Sequence, residues 1–71
     1  MYRLYIKAKS ETRFHPVDWA HGTLVRNLIY ASLFTAEEKD ELIKEDLAHP
    51  KNAHLVWEFR RATPNSNPSG W

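Results

Sequence analysis

The chain has 71 residues, a formal net charge of +1 and no cysteine, with three each of Trp, Tyr and Phe. That length allows one small domain near the lower limit for folding without staples, and the missing cysteine excludes disulfides and thiolate metal sites. The charge is uneven: residues 1–34 carry five Lys/Arg against two acids, residues 35–50 six acids against two lysines, and residues 51–71 three basic residues against one acid.

The opening "YRLYIKAK" alternates, with Tyr2, Leu4, Ile6 and Ala8 facing one way and Arg3, Tyr5, Lys7 and Lys9 the other. Period two with β-prone residues predicts a half-buried strand. It does not read as a signal peptide, because no long apolar run follows, and no segment approaches the roughly 18 apolar residues of a membrane span. A cytoplasmic protein with no membrane partner is the expectation. "SETR" reads as a turn and "FHPVDW" as a short second strand, with Pro16 pushing it towards a sheet edge. "AHG" breaks the chain at Gly22.

"TLVRNLIYASLF" is ambiguous between helix and strand; Ile29, Tyr30, Leu33 and Phe34 favour a third strand over residues 27–34. Thr35 is then an N-cap, with Glu38 three residues later closing a capping box. Ala36, Ile43 and Leu47, with Leu42 beside them, form the apolar face of the helix, and Pro50 ends it. "HLVWEFRR" alternates again, with Leu55, Trp57 and Phe59 opposite Val56, Glu58 and Arg60. Residues 63–71, "TPNSNPSGW", are turn-formers with only Trp71 to bury, and a disordered tail is expected after a domain spanning residues 1–62.

The order β-β-β-α-β predicts an α+β fold, a small, mostly antiparallel sheet with one helix on one face. The helix should cover Tyr2, Leu4, Ile6, Leu55, Trp57 and Phe59, leaving the other face open.

At "NLIYASLFTAEEKDEL" the chain resembles a junction found in small uncharacterised bacterial proteins of phages and mobile elements. There an Ala-x-x-Phe-Ser/Thr-x-Glu-Glu segment passes from strand to helix, and Ala31, Phe34, Thr35, Glu37 and Glu38 match it. The resemblance implies an accessory or anti-defence protein that works by binding, with no activity to transfer.

Two surfaces are candidates for function. At 100° per residue Glu37, Glu38, Glu41 and Glu45 fall within about 100° of each other on the helix, opposite Ile43. This acidic ridge is either a solvated face or a docking surface for a basic protein partner, and the latter is the leading functional reading. The alternative is nucleic-acid binding by Arg3, Tyr5, Lys7, Lys9 and Arg60 on the open sheet face, where an aromatic among basic residues could stack a base. A self-associating module, as a homodimer through an exposed strand edge, is a third reading. His15 and His21 flank Asp18, and His49 and His54 flank the "PKNA" turn, but neither pair has metal-ligand spacing. No nucleophile elbow or Gly-rich phosphate loop is present. Neither a catalytic residue, a cofactor nor a metal is expected.

Overall fold

A computed structural model describes residues 1–62. Strand β1 (Tyr2–Ala8) is the centre of an antiparallel sheet. One of its edges pairs along its whole length with β5 (Leu55–Arg61), from Tyr2 opposite Arg61 to Ala8 opposite Leu55. The other edge is shared. β4 (Leu33–Phe34) pairs with Tyr2 and Arg3, and β2 (His15–Asp18) pairs with Tyr5 and Ile6. The short β3 (Thr23–Leu24) lies outside β2. The expected α+β fold is thus present, with five strands and one α-helix among the described residues.

Two expectations need correction here. Pro16 does not put β2 on a sheet edge, because β2 pairs with β1 on one side and β3 on the other. The Pro16 nitrogen and carbonyl turn away from β1, so the β1–β2 ladder loses no donor, and the carbonyl accepts from Val25 N–H at 3.0 Å just past the end of β3. Nor do residues 27–34 form one strand. Asn27 accepts from Ile29 N–H at 3.1 Å and starts a single 3₁₀ turn over Leu28–Tyr30, so only Leu33 and Phe34 pair with β1. Ser32 N–H donates to the Val17 carbonyl at 3.0 Å and joins β4 to β2 across the shared edge.

The helix begins as expected. Thr35 Oγ1 accepts from Glu38 N–H at 3.1 Å, and Glu38 Oε1 accepts from Thr35 N–H at 2.8 Å, completing the capping box of α1 (Ala36–Leu42). The helix then widens into a π turn over Ile43–Leu47, closed by Ala48 N–H donating to the Ile43 carbonyl at 2.9 Å. Asn52 Nδ2 donates to the Asp46 carbonyl at 2.7 Å and satisfies a terminal acceptor, while Pro50 opens a 3₁₀ turn that leads to β5.

The core lies between helix and sheet. Leu4, Val17, Phe34 and Leu47 are buried, and Ile6, Leu42, Ile43, Trp57 and Phe59 pack around them. Phe34 meets Phe59 edge to face at 5.7 Å, and Trp57 meets Phe59 at 6.3 Å. Ala36, expected on the apolar face, is exposed at the first position of the helix. The expectation for residues 63–71 lies outside the described residues.

Candidate functional site

The acidic ridge borders a groove. A shallow depression of about 270 Å³ lies between the helix and the end of β2, lined by Trp19, Phe34, Glu38, Glu41, Leu42, Glu45 and Asp46. Its lining combines aromatic and aliphatic side chains with four carboxylates of the helical segment.

Trp19 is placed there by a local turn. It follows Val17 at a spacing of two, so alternation along β2 carries it to the helix side of the sheet. Its N–H donates to Ser32 Oγ at 2.8 Å, and its carbonyl accepts from Gly22 N–H at 3.2 Å. Gly22 has φ +65°, the left-handed region where a side chain would be strained. Asp18 braces the same turn, accepting from His21 N–H at 3.3 Å and bonding His21 Nδ1 at 2.7 Å. The bond to His21 holds the Asp18 carboxyl below its ordinary value. Trp19 remains 39 % exposed, a large indole held at the surface by a well-bonded turn.

The carboxylates of the helix have different employments. Glu38 is held by the capping box. Asp46 pairs with Lys51 at 3.2 Å, and Asp40 with Lys39 at 3.5 Å. Glu37 is exposed but lies off the groove, so the predicted ridge of four contributes three residues to it, with Asp46 as the fourth. Glu41 and Glu45 are exposed and make no ion pair or side-chain hydrogen bond among the described residues. As an i,i+4 pair of like charge they destabilise the helix by about 0.2–0.5 kcal/mol. Sequence reasoning did not single out Trp19 or Asp46. Parity with Val17 was the available signal for Trp19, and nothing announced the π turn that brings Asp46 to the rim.

The basic sheet face is a different object from the open surface expected. Tyr5 is 9 % exposed rather than presented to solvent. The Arg60 guanidinium lies 4.2 Å from its ring centroid and 5.4 Å from that of Phe14, and Lys7 Nζ sits 5.2 Å from Phe14. These cation–π contacts form a small second cluster on the outer face. Arg60 also pairs with Glu58, and Lys7 Nζ donates to the Glu11 carbonyl at 2.9 Å. Arg3 is half-buried, and its Nε is covered without a hydrogen-bond partner among the described residues. Lys9 lies beyond the end of β1 and is exposed. The face that was to stack bases thus has its aromatic ring occupied by its own arginine.

His15, His21 and His49 stand in separate local contacts. His15 Nε2 lies 3.3 Å from Glu11 Oε2, and His49 Nδ1 accepts from Lys51 N–H at 3.1 Å. Glu11 also accepts from Ala8 N–H at 2.7 Å, and that bond first, then His15, holds its carboxyl below the ordinary value. No three His, Asp or Glu converge to hold a metal ion among the described residues, and no helix there is long and apolar enough to cross a membrane. No family model matches the chain, and neither a curated protein nor a solved structure is significantly similar to it.

Proposed function

We propose that the protein is a protein-binding module that takes a lysine or arginine side chain of a basic partner into the groove beside Trp19. One observation carries this reading: Glu41 and Glu45, which have no ion-pair or side-chain hydrogen-bond partner among the described residues, line the same groove as an exposed indole. A cation over an indole face is attracted by its quadrupole, and carboxylates at the rim add charge-assisted hydrogen bonds. The π turn adds support, since such turns recur at functional sites and this one carries Glu45 and Asp46. Action by binding rather than catalysis also suits the accessory and anti-defence proteins that the strand-to-helix junction resembles.

The nucleic-acid reading loses its main physical support, since Tyr5 offers no open face for a base. The test sets the two surfaces against each other. Fluorescence anisotropy of a labelled arginine-rich peptide and of a labelled single-stranded oligonucleotide would be measured with the wild type, Glu41→Lys/Glu45→Lys, Trp19→Ala and Arg3→Gln/Lys7→Gln/Lys9→Gln. The reading expects peptide binding that weakens with salt, disappears in the double lysine variant, falls in Trp19→Ala and survives the glutamine triple. Peptide binding untouched by the double lysine variant would refute it. Oligonucleotide binding lost only in the glutamine triple would transfer the function to the sheet face.

A further inference from the structure

The outer edge of β5 pairs with no strand among the described residues. It is a long edge for so small a sheet, seven residues in unbroken register with β1, without proline, glycine or bulge. Natural sheets usually guard such an edge, because its free N–H and C=O groups are a template for another strand. The orientation of those groups follows from one hydrogen bond. Ala62 N–H donates to the Met1 carbonyl at 2.8 Å, so Ala62 and Met1 form a hydrogen-bonded pair. Alternation then turns the backbone groups of Val56, Glu58 and Arg60 towards β1, and those of Leu55, Trp57, Phe59 and Arg61 outward.

We infer that a second copy of the chain pairs with this edge, β5 against β5 and antiparallel, on a twofold axis through Phe59. The charges select that register. With the axis at Phe59, Glu58 of each copy stands opposite Arg60 of the other. These are non-hydrogen-bonded positions, where opposed side chains approach most closely. On the helix side Phe59 meets its own copy and Trp57 meets Arg61, an aromatic pair and two cation–π contacts. Moving the axis one residue either way places Glu58 against Glu58 or Arg60 against Arg60, both destabilising. The charges that guard the edge in neighbouring registers therefore specify this one. The dimer is also consistent with the partial burial of Trp57 and Phe59, which pack against the core from the outermost strand of the sheet. Pairing of two β5 strands continues the sheet and covers both.

This dimer is independent of the groove. Sedimentation of the full chain from micromolar to millimolar concentration should show a monomer–dimer equilibrium. Glu58→Arg and Arg60→Glu should each raise the dimer Kd by at least about tenfold, since like charges then face each other twice. Mixed, the two variants should form a heterodimer, because every facing pair across the twofold then unites one arginine with one glutamate. The double reversal within one chain should dimerise alone for the same reason. Because the chain has no cysteine, mixing Glu58→Cys with Arg60→Cys supplies a second readout should Arg60→Glu fail to fold. The proposed register puts these Cα atoms about 4.5 Å apart, within disulfide reach. A mixed disulfide between positions 58 and 60 supports the register. A wild type that stays monomeric, a dimer indifferent to charge reversal, or oxidation that yields only 58–58 and 60–60 products would overturn the proposal.

Discussion

Replacing Thr35 by alanine tests whether the capping box sets the start of the helix that carries the groove. The α-helical part is only seven residues before the π turn. A helix of that length does not persist without caps and packing. Thr35→Ala deletes the oxygen that accepts from Glu38 N–H at 3.1 Å and frees the Glu38 carboxylate to swing from its own 2.8 Å bond. The expected cost is about 0.5–2 kcal/mol. At roughly 0.05–0.15 kcal/mol per residue, the 62 described residues should be stable by about 3–9 kcal/mol, so the loss is a sizeable share. Each kcal/mol should lower Tm by about 4–8 °C. Thr35→Ser keeps the acceptor and should change little, and Glu38→Gln keeps an acceptor on the return bond and should cost less than Thr35→Ala. The Thr35→Ala/Glu38→Gln pair should be less costly than the sum of its parts, since the two bonds hold each other in place. Urea and thermal unfolding followed by circular dichroism would measure all four. Strict additivity, or equal and negligible losses for alanine and serine at position 35, would refute a reciprocal box.

The outer-face cluster makes a sharp distinction at Tyr5: Tyr5→Phe should keep stability within about 1 kcal/mol, whereas Tyr5→Ala should cost about 3–5 kcal/mol, as for a buried aromatic; unfolding by urea reads both, and a loss below about 1 kcal/mol for alanine would mean that the ring is not packed. Glu11 and Asp18 have lowered folded-state pKa values, so their stabilising contributions are present above the ordinary carboxylate range and vanish as pH falls through the lowered values. Tm should therefore decline on acidification through that window, and Glu11→Gln should shallow the decline without changing the slope near neutrality.

Much of the framework was legible because local rules and tertiary context agree there. Alternation in "YRLYIKAK" and "HLVWEFRR" gave the two strands that pair over seven residues, and Thr35 with Glu38 gave the helix start. The middle third was less legible for a physical reason. The edge of β1 away from β5 is divided between β2 and β4, so after β3 the chain leaves the sheet, turns at Asn27 and rejoins it at Leu33. No periodicity encodes that detour. Parity put Tyr5 on the outer face correctly, but it could not tell that Arg60 lies over its ring. The same limit applied to the groove: the carboxylate spacing was visible, while the indole that completes it arrives from a turn about twenty residues earlier in the chain.

The division of labour among the helix acids bears most directly on the proposed function. Glu38 closes the cap, Asp40 and Asp46 answer Lys39 and Lys51, and Glu37 lies in the first turn, where the macrodipole favours a negative charge. Each has a structural reason to be acidic. Glu41 and Glu45 have none within the described residues: they lie beyond the first turn, repel each other at i,i+4 and pair with no cation. Lysine at either position would give the helix a favourable i,i+4 pair with the other glutamate. Folding alone would thus favour a lysine at one of the two places, and both places line the groove beside Trp19. A cation brought by a partner would neutralise the repulsion and cover the indole at once. Such a partner would turn both local costs into favourable contacts.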